Sequence, residues 1–353
     1  MTPLRLWTPE TAGEAARLFA PRPTERMRIW TDDGGEPPPK SAGRNAPGGV
    51  VVWYWLKDEV KPAGNGKETL RLEIRQGDRL LRTYSNAKKE DQDEPKKDDD
   101  GDKPLEPKAG LNRLDWDMKL MPVALASSKE TFGDYAPESP RVLPGSYTVR
   151  LVVVRKDGDA KTGGAKPGET KTTDSKPVEA VFEQAFEIRS DPRLTAPAAD
   201  LAEQAALLLA LRDDLERSHD LLRKVRETRA QAKDLAGRAE RLGRAEVKEP
   251  AKALTDRLTA VEEKITNPKI KAGQDSLNFT PKLDFQIAAL AGYVDSADAR
   301  PPKAAHERRK QLIAELDAVE RELDDAVGKE LAAFNDAVEK AKIPPVTVMP
   351  KKK

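Results

Sequence analysis

The sequence contains no cysteine, so it forms no disulfide and offers no thiolate as a nucleophile or metal ligand. It has two histidines, and neither His219 nor His306 belongs to an HExxH or related zinc pattern. Glycine-rich dinucleotide-binding and phosphate-binding motifs are also missing. The acidic run at 98–102 places Lys96 where a calcium loop needs its first acidic ligand. These absences favour a non-catalytic chain and predict no metal and no cofactor.

Long hydrophobic runs are absent as well. The longest, Ala205–Leu211, is far shorter than the roughly 18 residues that a membrane span requires. Residues 1–20 lack the basic and apolar regions of a signal peptide. Lys plus Arg total 62 against 61 for Asp plus Glu, so the net charge provides no general attraction to nucleic acid. The sequence predicts no membrane span and no nucleic-acid partner, and it leaves the localisation unknown.

Charged residues, in contrast, are abundant. Charged residues make up 35% of the chain and apolar residues 37%, whereas folded domains average about 25% and about 45–50%. Two segments, 86–108 and 156–176, are too polar to offset the entropy of ordering and are predicted to be disordered charged loops. Residues 344–353 are predicted to be a disordered tail.

The first half of the chain carries short segments with the two-residue alternation of β-strands, separated by turn residues. Val50–Leu56 is apolar at every position, which is typical of a strand covered on both faces or flanked by the N-terminal segment. We therefore predict an Ig/fibronectin-like antiparallel β-sandwich over residues 21–190, preceded by an N-terminal extension at 1–20. The predicted strands are near Met27–Trp30 and at Val50–Leu56, Leu70–Arg75, Leu80–Tyr84, Asn112–Asp117, Tyr147–Val154 and Val178–Ile188.

The second half carries apolar residues at spacings of three and four, which predicts an antiparallel bundle of about four helices over residues 191–343. Asp200 is the expected N-cap of the first helix, and Thr280-Pro281 is expected to open the third. The same apolar stripes permit self-association. The predicted class is thus α+β with two domains. The stripe of the fourth helix is Leu312, Leu316, Val319, Leu323, Val327, Leu331, Phe334 and Val338.

Tryptophans on predicted strands are the first candidate binding residues. Core packing is the expected role of Trp53, Trp55 and Trp116, because large aromatic side chains bury well. A tryptophan platform for a carbohydrate is the alternative.

Several short motifs resemble the C-terminal region of large bacterial sortilin-type, neuraminidase-repeat (Asp-box) β-propeller proteins, which are often labelled glycosyl hydrolases. That region is similar in its G-x-N-R-x-x-W-D and P-G-x-Y-x-V strands, its D-P-R junction and its G-Q-D-x-L-N-x-P-x-K-L stretch. The β part also resembles the Ig-like domain of flagellar hook-capping proteins. The matching residues are Leu18–Pro23, Gly110–Asp117, Leu143–Val149, Asp191–Arg193, Gly273–Leu283 and Ser296–Pro301.

The resemblance covers roughly residues 18–341 and implies a tail module without its propeller. Any activity of the family belongs to the propeller, so the hydrolase label does not transfer. The resemblance implies a periplasmic or extracellular location and a β-propeller protein as partner. A chain that begins just before the resemblance is expected to be a split-gene product, a truncated reading frame or a protein that acts beside a separate propeller.

Gly273–Leu283 is the most specific of these motifs, and it supplies the second set of candidates. Its polar side chains can satisfy backbone donors in a tight connection, while Leu277 and Phe279 can attach the loop to the bundle. A structural role is therefore the first interpretation and a binding site is the second. The candidate residues are Gln274, Asp275, Asn278, Phe279 and Lys282.

The sequence thus supports three functional hypotheses. The first is a non-catalytic accessory or protein-interaction module that supports a β-propeller partner. The second is a carbohydrate or cell-surface binding module that binds through Trp53, Trp55 or the charged loops. The third is the non-catalytic part of a glycosyl hydrolase whose catalytic domain lies on another chain.

Overall fold

A computed structural model describes residues 2–28, 48–62, 69–87, 104–126, 138–155 and 178–343. The chain divides into two compact units. A β unit contains residues 1–121 and 141–195, and a helical unit contains residues 122–140 and 196–353. The mixed α+β class, with a helical region after the strands, is confirmed. Among the described helices, none combines the length and apolarity needed to cross a bilayer, as predicted.

The β unit is built from two sheets. A three-stranded sheet has the order β1-β3-β6, and a five-stranded sheet, curled like half a barrel, has the order β2-β8-β7-β4-β5. Strand pairs are antiparallel except β2 and β8, which run parallel. A short helix α1, Thr2–Leu6, precedes the strands, which are β1 Ala16–Leu18, β2 Thr24–Arg26, β3 Val50–Leu56, β4 Leu70–Gln76, β5 Arg79–Ser85, β6 Gly110–Trp116, β7 Gly145–Arg155 and β8 Val178–Ser190.

Side-chain alternation decides which face of each strand is buried. In β3 the even positions Val50, Val52, Tyr54 and Leu56 are buried in the core, and the odd positions are only half-buried. β8 likewise buries Phe186 and Ile188 and exposes the residues between them. Successive side chains of a strand point to opposite faces, so one aliphatic face is enough to decide which side of the strand turns toward the core.

Aromatic rings connect the two sheets of the β unit. Trp116 of β6 is fully buried, and its ring centroid lies 6.2 Å from those of both Tyr147 on β7 and Phe186 on β8. Tyr147 and Phe186 stack at 5.9 Å. Edge and offset contacts of this kind add about 0.5–1.5 kcal/mol each beyond the burial of area. The expected core role of Trp116 is therefore confirmed.

Two boundary predictions in the β unit are wrong. Residues 1–20 are not only an extension, because β1 lies within them and pairs with β3. The strand expected near Met27 lies earlier, at Thr24–Arg26, where the buried Arg26 donates from Nε to the Val142 carbonyl at 2.9 Å. Residues 29–47 lie outside the described part of the chain.

The predicted charged loops fall mostly on residues 88–103 and 156–177, which lie outside the described part, as does the predicted tail at 344–353. The described ends of the first loop do carry structure. Asn86 is buried and accepts hydrogen bonds from the backbone of Thr69 and Leu70, while its amide donates to the Val60 carbonyl. The composition of a segment does not predict such a residue. The side-chain amide of one asparagine can satisfy three backbone groups and so order the chain around it, even where the neighbouring residues are highly polar.

The described part of the helical unit contains five α-helices, and a π-helical turn at Val327–Leu331 connects the last two. Asp200 lies in the first turn of its helix, and Pro197 occupies the N-cap position instead. Thr280 and Pro281 precede the helix that they were expected to open, and their carbonyls accept hydrogen bonds from the side-chain amides of Asn267 and Gln286. The helices are α2 Ala198–Arg241, α3 Lys248–Ile265, α4 Leu283–Val294, α5 Lys303–Ala326 and α6 Ala332–Lys340.

A buried carboxylate joins α3 to α2. Glu262 of α3 is buried and binds Arg226 and Arg229 of α2. Burial opposes ionisation of Glu262, but the two arginine hydrogen bonds outweigh it and lower the pKa of the carboxyl.

Ion pairs also show the direction of α5. Asp214 binds Arg309, and Arg217, further along α2, binds Asp317, further along α5. The helix α5 therefore runs in the same direction as α2, and the bundle is not antiparallel throughout. Apolar periodicity could not reveal this, because it is the same for both helix directions.

Among the described glycines of the β unit, Gly49 allows the closest backbone approach. A Cβ atom at this position would lie 2.0 Å from the carbonyl oxygen of Trp116. We expect Gly49→Ala to lower the free energy of unfolding by about 2–3 kcal/mol, the scale of overpacking in a core. Urea unfolding followed by tryptophan fluorescence measures the change. Gly13→Ala is the control, since nothing lies within 4 Å of its Cβ, and an equal loss in both variants would contradict the prediction.

Candidate functional site

The outer face of the three-stranded sheet carries a cluster of aromatic and charged side chains. Trp53 and Trp55 lie at odd positions of β3 and therefore point away from the core. The expectation that they pack in the core is wrong: both are half-buried on the outer face. We call this surface the tryptophan face, and it consists of Trp7, Arg17, Phe19, Trp53, Trp55, Leu111 and Arg113.

Trp55 is held in place by the N-terminal segment. Trp7 contacts it edge to face at 4.9 Å between ring centroids, and the Trp55 Nε1 donates to the Glu14 carbonyl at 3.3 Å. Trp7 in turn stacks on Phe19 at 6.4 Å. The prediction that the N-terminal segment can flank β3 is thus confirmed. The signal was present in the sequence as the all-apolar run of β3, which requires cover on both faces.

Trp53 is fixed from the other side by β6. The Arg113 guanidinium lies 5.6 Å from the Trp53 ring centroid and is itself bound through two 2.7 Å hydrogen bonds to Asp115. Leu111, which pairs with Trp55 across the strands, remains 40% exposed. The result is a pre-ordered apolar surface bordered by an arginine. Tryptophan and arginine are the side chains most enriched in binding hot spots.

The second candidate group lies in the helical unit and forms a compact turn between α3 and α4. Asp275 accepts hydrogen bonds from the backbone N–H groups of Lys271 and Ala272 at 2.8 and 2.9 Å. Its own carbonyl accepts from the N–H groups of Asn278 and Phe279. The predicted role of Asp275 in satisfying backbone donors is confirmed.

The other residues of this turn do less than expected. Leu277 is 82% exposed, so it does not attach the loop to the bundle. Phe279 is half-buried, with the Lys269 ammonium 5.9 Å from its ring centroid. Gln274 and Asn278 are exposed, and Lys282 occupies the N-cap position of α4 without a side-chain cap. The structure brings these residues together but gives them no shared contact that points to a ligand.

His219 is a buried titratable group that the sequence places on the apolar seam of α2, and burial there is confirmed. Its Nδ1 accepts a 3.2 Å hydrogen bond from the N–H of Ala126, and the neighbouring Arg223 donates to the Ala124 carbonyl. The segment 122–126 is therefore attached to the bundle by α2. Val123 and Leu125 of this segment pack against the core of the bundle. This packing was not predicted, because a segment without apolar periodicity gives no indication in the sequence of what it contacts.

The environment of His219 disfavours its charged form. Burial, together with the nearby cations of Arg223 and Arg226, lowers its pKa from 6.5 to about 4, against a smaller opposing effect of Asp220. The neutral ring is the form that can accept the Ala126 hydrogen bond. The histidine is therefore suited to packing and to accepting that bond.

Among the described residues, no group of three His, Asp or Glu side chains is arranged to hold a metal ion. An open hollow of about 270 Å³ is lined by residues 59–62, 86–87 and 104–108 of the β unit. Its wall includes Asn86, whose side chain is occupied with backbone groups.

Comparison with known proteins adds no relative. No family model matches the sequence, and no curated protein matches it. A solved structure named "pT26-6p" is similar at 10% identity, with 84% of this chain and 46% of that chain covered and a TM-score of 0.16. The chain thus spans under half the length of that structure, and a TM-score this low supports no argument about fold or function.

The buried histidine generates a pH prediction for the helical unit. The pKa of His219 in the folded protein, about 4, lies below its ordinary value of 6.5, so His219 contributes stability that is fully present above pH 6.5 and is lost as pH falls toward 4. The loss is on the order of 3 kcal/mol. Urea unfolding followed by circular dichroism at several pH values measures it.

The variant His219→Asn keeps an acceptor but does not titrate, so its stability should lack this component of the pH dependence. His306→Asn, at an exposed position, is the matched control and should retain the wild-type slope. A wild-type slope in His219→Asn would contradict the assignment.

Proposed function

We propose that this chain is a non-catalytic interaction module that binds a protein partner through the tryptophan face of its β unit. The observation that carries the proposal is the pre-ordered cluster of Trp7, Trp53 and Trp55 on an outer sheet face, bordered by Arg113 and Leu111. Clusters of partly exposed aromatic side chains mark interaction sites on folded domains.

Pre-ordering is the physical reason that this surface suits binding. Association costs about 0.5–1.5 kcal/mol for each flexible side chain that it immobilises. Trp55 is already held by Trp7 and Glu14, and Trp53 is already held by Arg113. A partner that covers the face therefore gains apolar burial with little loss of side-chain entropy.

The kind of partner follows from the sequence resemblance. The β unit and the helical unit together would form the tail module of a sortilin-type, neuraminidase-repeat architecture, and the partner would be a separate β-propeller protein. An exported location accompanies this proposal. The turn at Gly273–Leu283, which is shaped by Asp275, would be a structural motif of that module.

We also propose an Ig/fibronectin-like sandwich for the β unit. Tyr147, near the start of β7, donates its hydroxyl to the carbonyl of Leu143, four residues upstream. This contact resembles the tyrosine corner of Ig domains, and the buried Trp116 resembles their core tryptophan. Burial raises the pKa of Tyr147 to about 12, so the hydroxyl stays protonated and able to donate well into alkaline pH.

Carbohydrate binding is the second candidate, and the half-exposed rings of Trp53 and Trp55 favour it. A sugar ring would stack on an open indole face. Arg113 already lies over Trp53, and Trp7 already contacts Trp55, so less indole surface is open to a sugar than strand position alone suggests. The third candidate, the non-catalytic part of a glycosyl hydrolase, would use the same face to hold its catalytic chain.

Loss of the indoles should abolish partner capture. We expect Trp53→Ala and Trp55→Ala to reduce recovery of the partner at least tenfold in affinity purification from the native organism, because hot-spot truncation costs 2 kcal/mol or more. Mass spectrometry of the eluate identifies the partner. Tyr293→Ala is the matched control, since Tyr293 is an exposed aromatic residue on α4 of the helical unit.

Three results distinguish the candidates. A β-propeller protein that is lost with the tryptophan variants supports the first. Glycan-array binding that disappears with Trp53→Ala favours the carbohydrate alternative. Equal recovery of the partner by the wild type and both tryptophan variants would remove the tryptophan face from the proposal.

A further inference from the structure

The strand β6 lies at one edge of the three-stranded sheet. In the pairing of β6 with β3, Asn112 and Leu114 lie opposite Tyr54 and Val52. The odd-numbered residues of β3 direct their backbone groups toward β1 instead, as the hydrogen bond from the Phe19 N–H to the Trp53 carbonyl shows. Alternation along an antiparallel strand then directs the backbone N–H and C=O groups of Leu111, Arg113 and Asp115 away from β3. Within the residues that the structure describes, no other strand pairs with this edge.

An open edge normally carries features that block pairing, such as an unpaired charge, a proline or a bulge. The strand β6 is regular over seven residues and contains no proline. Its charged side chains Arg113 and Asp115 bind each other, so the edge presents a neutral pair. Both remain accessible, with 41% and 46% of their side-chain surfaces exposed.

We propose that β6 pairs antiparallel with β6 of a second copy of this chain, with Arg113 of each copy opposite Asp115 of the other. Symmetric pairing about Leu114 gives this register and aligns the outward backbone groups of 113 and 115 in two hydrogen-bonded pairs. Each arginine then lies beside two carboxylates and each carboxylate beside two arginines.

Charge selects this register over its neighbours. Pairing about Arg113 would place the two Arg113 side chains directly opposite each other, and like charges in that position are destabilising. Pairing about Asn112 would place Arg113 opposite Leu111 and leave Asp115 beyond the paired region. Of the three registers compared, only the one about Leu114 is self-complementary in charge.

The interface is small. Two hydrogen-bonded pairs and a few half-exposed side chains bury less than the roughly 1,200 Å² of a stable complex, so the dimer forms in a concentration-dependent way. The inference is independent of the protein partner proposed above, because purified protein alone tests it.

Sedimentation equilibrium of the purified full chain tests the register directly. Wild type should show a reversible monomer–dimer equilibrium. Arg113→Asp alone and Asp115→Arg alone should each raise the dissociation constant at least tenfold, since each places like charges opposite one another. An equimolar mixture of the two variants should associate again as a heterodimer, and the double exchange in one chain should restore the homodimer.

Arg189→Asp is the matched control, because Arg189 makes the same spacing of ion pair with Glu187 on β8, which is paired on both sides. It should leave the dissociation constant unchanged, and thermal unfolding checks that each variant is folded. A monomer at every concentration would overturn the proposal. A dimer that both single charge variants leave intact would also overturn it and would assign self-association to another surface, such as the helical stripes.

Discussion

The two-residue alternation of β3 is the constraint on which the β unit depends. Its even side chains fill the core, so its two tryptophans must lie on the opposite face. That face would be too apolar to leave bare, and the N-terminal segment covers it with Trp7. The same alternation places Trp116 of β6 inward against Tyr147 and Phe186 and places Arg113 outward over Trp53. One periodicity therefore produces both the core and the candidate surface.

The helical unit depends on a different kind of contact. Its apolar stripes bury the residues of a common core, but leucine stripes alone do not distinguish one helix neighbour from another. The buried carboxylates do so, because Glu262 needs Arg226 and Arg229 while Asp214 needs Arg309. Removing one partner of such a pair leaves a buried charge without compensation, which costs far more than the pair itself stabilises.

Much of the fold could be predicted from periodicity, and the failures have specific causes. The strand positions of β3, β4, β5, β7 and β8 and the helix stripes followed from apolar spacing. The inward or outward direction of Trp53 and Trp55 did not follow, because every residue of that strand is apolar and either face could have been the core. Val327 was placed on the stripe of the last helix but is 44% exposed and begins a π-helical turn, which the sequence did not predict. The direction of each helix and the pairing of the strands depend on contacts between residues far apart in the sequence, such as Asn86 with Thr69, and local apolar spacing does not encode these contacts.

Arg113 belongs to two surfaces at once. Its guanidinium lies over the Trp53 ring, and its backbone faces the open edge of β6 beside Asp115. A ligand that displaces the guanidinium from the indole would change the charge arrangement presented at the edge. By thermodynamic reciprocity, whatever binds at the edge would change the affinity of the indole surface by the same factor. A single side chain would thus make occupancy of the face and assembly state of the chain interdependent.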